Sequence, residues 1–254
     1  MASLTYKQPF TRIGAFNPQK ERFDSLLSPG DIIPYFAMCQ EEGVSLQRGM
    51  NYRVRGLRSI LLMSVRADAP YTDRVLEDGR VLLYEGHDAP RSQGGPDPKR
   101  IDQPLVTPAG KPTQNGLFYK AVERYKAGGE AELVRVYEKI RDGLWAYNGA
   151  FMLADGWMET VDGRQALRLR LEVADLEESR VTGQPELAHN RMIPSSIKNE
   201  VWVRDLGRCV ECGATDNLHF DHIVPFSKGG SSLTASNIQL LCLRHNLAKS
   251  DRIQ

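Results

Sequence analysis

The sequence predicts an α+β protein: a large N-terminal unit built as a curved sheet or barrel with covering helices, followed by a small unit stapled by zinc. Three observations carry this. Residues Arg164 to Val173 alternate, with Leu167, Leu169, Leu171 and Val173 on one side and Arg168, Arg170 and Glu172 on the other, the period-two pattern of a half-buried strand. Further upstream, short apolar runs are closed by turn residues, as in a sheet with few helices. Three of the four cysteines and three of the five histidines fall after residue 208, a concentration that suits metal binding better than a disulfide framework.

In chain order, Ile60 to Val65 and Val81 to Tyr84 read as strands. His87 to Pro112, rich in Gly, Pro and charge, reads as a long surface loop. Leu117, Ala121, Val122 and Tyr125 then repeat at helical spacing behind the candidate caps Thr113 and Asn115. Leu133 to Tyr137 is a further strand, and Arg164 to Val173 closes the unit. After Leu176 the apolar periodicity stops, and Gly183, Pro185 and Pro194 mark a linker. The expected organisation is therefore 1–176, a linker at 177–195, and a second unit at 196–254. Ser195 or Ser196 is expected to cap a helix running to about Leu206, stopped by Gly207.

At 254 residues with 41% apolar content, both units have enough material for a core. Ile60-Leu61-Leu62-Met63 is the longest apolar candidate and falls far short of a membrane span, and Met1 to Phe10 lacks a signal-peptide core. A soluble, intracellular protein is expected. With 33 Lys and Arg against 32 Asp and Glu, any affinity for nucleic acid must come from local patches and not from bulk charge.

Cys209 and Cys212 form one pair of ligands, and Cys242 and His245 form another at the same spacing. Together they make the tetrahedral S/N set of a closed structural zinc site. A unit of about sixty residues needs such a staple, because its core alone is marginal. A second group lies between the pairs: His219-Phe220-Asp221-His222-Ile223-Val224-Pro225, then Gly229-Gly230, then Asn237, with Asn246 after Cys242 and His245.

This second group resembles the HNH nuclease family, whose ββα-metal fold carries the pattern D/H-H-I-x-P, G-G, N-x-x-x-L-C, then H or N. The steps match, with fifteen residues from His222 to Asn237 and nine from Asn237 to Asn246. The resemblance implies a catalytic set of His222, Asp221, Asn237 and Asn246. His222 would activate water, since an imidazole accepts a proton near neutral pH. Asp221 and Asn246 would hold one divalent ion, and their hard oxygen donors favour magnesium or manganese. Asn237 would tie the loop together and orient His222. Asp221 stands where the family often has its first His, Asn246 where it has its last, and His245 where many relatives have a second Cys. His219 is open to reading as an extra ligand, a DNA contact or an ordinary histidine, and Lys249 as a phosphate contact or a solvated helix lysine.

Residues from about 55 to 175 resemble the SRA family, domains that flip a modified cytosine out of duplex DNA. The resemblance rests on Ser59-Ile60-Leu61-Leu62-Met63-Ser64, Ala69-Pro70-Tyr71-Thr72-Asp73, Asp78-Gly79, Leu83-Tyr84-Glu85-Gly86-His87-Asp88, Asp102-Gln103-Pro104-Leu105, Gln114-Asn115-Gly116-Leu117, Val134-Arg135-Val136 and Trp145 to Phe151, in the family's order. It implies a base pocket in which Tyr71 and Tyr84 stack on the flipped base and Asp73 accepts from the cytosine amino group. Glu85 departs from the small polar residue common in relatives.

Taken together, the chain is similar to the SRA-HNH modification-dependent (type IV) restriction endonucleases. That resemblance implies a bacterial cytoplasmic protein acting on double-stranded DNA that contains modified cytosine. Because one HNH site handles one phosphodiester at a time, a homodimer is expected. Two alternatives stay open: a non-cleaving reader of modified DNA, and an HNH nuclease choosing its targets by sequence or shape.

Overall fold

A computed structural model describes residues 27–65, 69–174, 192–225, 228–250 and 252–253. The N-terminal unit is a sheet of eight strands: β1 (Ile32–Pro34), β2 (Met50–Val54), β3 (Arg58–Met63), β4 (Arg74–Leu76), β5 (Val81–Glu85), β6 (Glu132–Arg141), β7 (Leu144–Val161) and β8 (Arg164–Val173). They run in the order β2-β3-β6-β7-β8-β5-β4, with β1 added on β7. The β3–β6 pair is parallel and the other pairs are antiparallel. Helix α1 (Tyr35–Glu42) follows β1, and α2 (Gln114–Lys126) lies, after β4 and β5, in the long connection that the parallel pair β3 and β6 requires. The mixed α+β class expected from the sequence is the one observed, as an open strand order.

The alternation of β8 puts Leu167, Leu169 and Leu171 into the main core, beside Leu61, Met63, Leu82, Phe151 and Leu153. Helix α2 covers that core with Phe118, Ala121 and Val122. Thr113 caps the helix by accepting the Gly116 N–H at 3.1 Å, as the sequence suggested. The opposite face of β8 is less polar in its surroundings than alternation implies. Arg164 and Arg168 are buried there, paired with Glu85 at 3.1 and 3.0 Å. Gln103 is buried too, so the expected surface loop sends one side chain inward to receive the Leu167 N–H at 2.9 Å.

The C-terminal unit consists of α3 (Ser195–Arg204), a hairpin of β9 (Leu218–His222) and β10 (Ile238–Cys242), and α4 (Leu243–Lys249). Its core joins Val201, Leu218, Phe220, Ile238 and Leu240 to Ile32, Ile140 and Ala146 of the first unit. One correction concerns α3. Pro194, not a serine, occupies its N-cap position, with no side-chain cap, and the helix ends at Arg204. Ser195 is instead buried as the first helical residue.

Residues 30–34 lie between the two sheets. On one side Ile32 pairs with Ala146 of β7, and on the other Gly30 O accepts the Phe220 N–H at 3.1 Å while Asp31 bridges to His219. Gly30 sits at φ +102°, and a Cβ there would lie 2.7 Å from Phe220 O, so the close approach of the strands requires glycine. Two further ties cross the boundary. Lys198 of α3 is buried and donates to Glu138 at 2.6 Å and Asn148 at 2.5 Å, the compensation that a buried ammonium needs. Met192 packs into the first core, and its N–H bonds Gly79 O at 3.0 Å. The expected linker thus ends in residues fixed against both units, while residues 177–191 lie outside those described. No described helix is long and apolar enough to cross a membrane.

Candidate functional site

Two sites carry chemistry. The first is a cavity of about 660 Å³ in the N-terminal unit, with Tyr71, Asp73 and Tyr84 all in its wall, next to Leu62, Met63, Ser64 and His87. Tyr84 projects from β5 with its ring almost fully buried, and its hydroxyl donates to Leu62 O at 3.3 Å. Tyr71 lies on the turn before β4. His87 stacks on its ring with centroids 5.2 Å apart and planes 16° apart, and Lys99 Nζ lies 4.3 Å from the ring centroid. The ammonium of Lys99 is also held by Asp88 at 2.8 Å.

Asp73 is 8% exposed and accepts the backbone N–H groups of Glu85 at 3.0 Å and Ser64 at 3.3 Å. Burial pushes its carboxyl up to about 7, against the pull of those N–H groups. At neutral pH the group therefore exists in both forms, one able to donate a proton in a hydrogen bond and one only to accept. A folded-state value above the unfolded one makes the protonated form the stabilising one. Its contribution is complete below about pH 4 and is lost as pH rises to about 7, a total on the order of 4 kcal/mol. Asp73→Asn should therefore gain stability relative to wild type between pH 4 and 7.5. Urea melts at pH 4, 5.5 and 7.5 test this, and a mutant-minus-wild-type difference that stays flat with pH would refute it.

Glu85 does not line this cavity. It accepts the N–H and hydroxyl of Thr72 at 3.0 and 2.6 Å and the two buried arginines of β8. Glu85 is thus a strut that holds the Tyr71–Asp73 turn against the sheet.

The second site is in the C-terminal unit. Cys209, Cys212, Cys242 and His245 bring their ligand atoms within 4.8 Å of one another. Cys212 Sγ and Cys242 Sγ are 3.8 Å apart, and His245 Nδ1 lies 3.3 Å from Cys209 Sγ and 3.4 Å from Cys242 Sγ. For zinc–sulfur bonds of about 2.3 Å, a tetrahedron has S···S edges of about 3.8 Å and S···N edges of roughly 3.6 Å, so the four atoms fit a single ion. Burial raises the Cys209 thiol, but backbone N–H groups of Cys242, Glu211 and Cys212 outweigh it and bring the group to about 6. That favours the thiolate, the form that binds metal.

On the adjacent strand β9, Leu218 and Phe220 face the core, and Asp221 pairs across the hairpin with Gln239 of β10. Gln239 Nε2 donates to Asp221 Oδ2 at 3.2 Å, and Lys249 Nζ pairs with the same oxygen at 3.1 Å. Both of these bonds fall on Oδ2. The carboxylate of Asp221 with the amide oxygen of Asn246 is a hard donor set of the kind magnesium and manganese take. Asn246 is half-buried on α4. Lys249 is buried and also donates to the His222 carbonyl at 2.6 Å. It is therefore neither a solvated helix lysine nor a free phosphate contact.

His222 Nε2 lies 2.9 Å from Ser232 Oγ. Burial lowers its pKa below the ordinary imidazole value, the Lys249 charge adds to that, and Asp221 opposes it. Asn237 closes the loop after β9: its Oδ1 accepts the Val224 N–H at 2.8 Å, and its Nδ2 donates to Val224 O at 3.0 Å and Ser231 O at 3.1 Å. The last of these bonds fixes the backbone beside Ser232 and hence the partner of His222. His219 Nδ1 bonds Asp31 Oδ1 at 2.7 Å across the boundary between the units. Ser232 and Gln239 carry no motif spacing, and His87 lies within the segment that carries the SRA resemblance but had no role assigned to it.

Residues 209–252 match the sequence model of the family described as HNH endonuclease. Among solved structures, the SRA domain of SUVH5 in complex with fully methylated CG DNA is similar at 23% identity over 59% of this chain and 90% of that one, with a TM-score of 0.41. The SUVH5 SRA domain bound to fully hydroxymethylated CG DNA is similar at 23% identity with the same coverage and a TM-score of 0.40. SUVH6 of Arabidopsis thaliana in complex with SAM is similar at 16% identity over 78% of this chain and 32% of that one, with a TM-score of 0.40. No curated protein matches the chain. The C-terminal part of this protein, with β9, β10 and α4 around a Cys3His cluster, carries an HNH endonuclease domain.

Proposed function

We propose that the protein is a modification-dependent DNA endonuclease in which residues 1–176 flip a modified cytosine into a pocket and residues 196–254, joined through 177–195, hydrolyse a nearby phosphodiester. The observation that carries this reading is the convergence of Tyr71, Asp73 and Tyr84 on one cavity, in a chain that also holds an HNH domain. Extracting a base from the duplex costs a few kcal/mol, and stacking on an aromatic ring returns about 1 to 3 kcal/mol. Asp73 supplies the polar edge reader. Its ionised form accepts from the cytosine amino group, a donor that thymine lacks.

At the nuclease site, the tautomer of His222 that donates Nε2–H to Ser232 Oγ keeps a lone pair on Nδ1, the nitrogen that takes the proton of the attacking water. Asp221 Oδ1 and the Asn246 side-chain oxygen would hold magnesium or manganese, which when bound supplies Lewis-acid stabilisation of the scissile phosphate. Lys249 neutralises Asp221 Oδ2 and fixes the His222 backbone, so the base and the carboxylate keep their relative positions. The four ligands Cys209, Cys212, Cys242 and His245 hold a structural zinc. Cutting both strands calls for a homodimer, and the setting is the bacterial cytoplasm.

Incubation with duplexes carrying unmodified, methyl-, hydroxymethyl- or glucosylated cytosine, in magnesium and in manganese, tests the reading. Cleavage confined to one or more modified duplexes is the expected result. Equal cutting of the unmodified duplex, without binding preference, sinks the specificity, and selective binding without cleavage in either metal sinks the nuclease.

A further inference from the structure

We infer that the His87 imidazole is the resident occupant of the base slot, a planar stand-in that a flipped base must displace. The inference rests on the base-reading function proposed above and names the residue that sets how readily the pocket fills.

The His87 ring does what a bound base would do. It lies nearly parallel to Tyr71, with 16° between planes and 5.2 Å between centroids. Its Nε2 atom shares a hydrogen bond with the Tyr84 hydroxyl at 3.3 Å. It therefore engages two of the aromatic residues in the cavity wall at once, Tyr71 through its face and Tyr84 through its edge. The slot is closed behind it by Gly49, where an added Cβ would lie 2.6 Å from His87 Nε2 and 2.7 Å from the Tyr84 hydroxyl. Burial brings His87 down to about 4, with the Asp88 charge opposing and Arg48 adding to the fall, so the ring is neutral like the base it stands in for.

The backbone of His87 does not move with the ring. Its N–H donates to Asn115 Oδ1 at 2.9 Å, and its carbonyl accepts from Asn115 Nδ2 at 2.8 Å. Asn115 is itself buried in the first turn of α2. Side-chain rotation is the motion left to the residue. A base that stacks on Tyr71 on this face must turn the imidazole away and break its bond to Tyr84. The free protein is thereby divided between a plugged state and an open one, and apparent affinity falls by the fraction that is open.

His87→Ala removes the plug and leaves both tyrosines. A stack and a neutral hydrogen bond together correspond to about a tenfold population shift. The dissociation constant for a duplex with one 5-methylcytosine, read by fluorescence anisotropy without magnesium or manganese, should therefore fall about tenfold, while that for the unmodified duplex stays unchanged. His87→Trp should have the opposite effect and lose the preference for the methylated duplex. Unchanged or weaker methyl binding by a His87→Ala protein that melts like wild type overturns the inference, because the ring is then a wall of the slot. In the wild-type protein, histidine side-chain 15N spectra provide a readout that needs no variant. The His87 resonance should shift with methylated duplex and not with unmodified duplex, and its failure to shift also overturns the inference. Equal binding of both duplexes by wild type is a different failure, since it removes the reader function and the inference with it.

Discussion

His222→Ala is expected to lower the single-turnover rate of cleavage of a modified duplex by about 10² to 10⁴ and to leave the affinity for that duplex unchanged. The separation follows from position. His222 ends β9, with its ring against Ser232 and its carbonyl on Lys249, and it is not among the residues that line the cavity holding Tyr71, Asp73 and Tyr84. Removing the imidazole takes away the group placed to receive a proton and leaves Asp221 paired with Gln239 and Lys249. A loss in rate with no loss in binding is the signature of an interaction made only in the transition state. The comparison needs saturating magnesium or manganese and matched melting temperatures. Full cleavage by His222→Ala would remove the imidazole from the mechanism. A parallel loss of affinity would show instead that the substitution disturbs how DNA is held.

What the sequence revealed depended on whether a residue acts alone or through distant partners. The leucines of β8 and the cap at Thr113 announce themselves locally, because alternation and capping are properties of neighbouring residues. The metal ligands are legible for the same reason: two pairs, each at a fixed short spacing, leave little freedom in how the four can meet. Arg168 looked like an outward residue of an alternating strand, yet its pairing with Glu85 draws it in from 83 positions away. Lys198 lies 60 residues from Glu138 and 50 from Asn148, so nothing near it in sequence marks it as buried. The helix start at Pro194 was missed because proline at an N-cap supplies no side-chain acceptor, and adjacent serines offered the stronger local signal. Tyr84 occupies an ordinary strand position, so its place in the cavity wall could be expected only from family resemblance.

Removal of the metal from the Cys3His cluster is expected to unfold the C-terminal unit and abolish cleavage while the N-terminal unit keeps its preference for modified DNA. The four ligands come from a turn, the end of β10 and the start of α4, so one ion ties α4, which carries Asn246, to β10, the hairpin partner of the strand that carries Asp221 and His222. Apparent binding free energies of structural zinc in small modules are about 10 to 16 kcal/mol, more than the net stability of most whole domains. The core of the C-terminal unit is small, and it borrows Ile32, Ile140 and Ala146 from the neighbouring sheet. The N-terminal core around Leu61, Phe151 and Leu169 is a separate cluster, which is why the two functions should part. Trp202 packs on the smaller core and against Gly207, so its emission should shift to longer wavelength as the unit opens. Metal analysis of the purified protein should find one zinc per chain. Treatment with a strong chelator, or Cys209→Ala, should then give the emission shift and the loss of cutting together, with methyl-selective binding retained. Absence of bound zinc, or a Cys209→Ala protein that melts and cuts like wild type, would show that the hydrophobic contacts alone hold the nuclease strand in place.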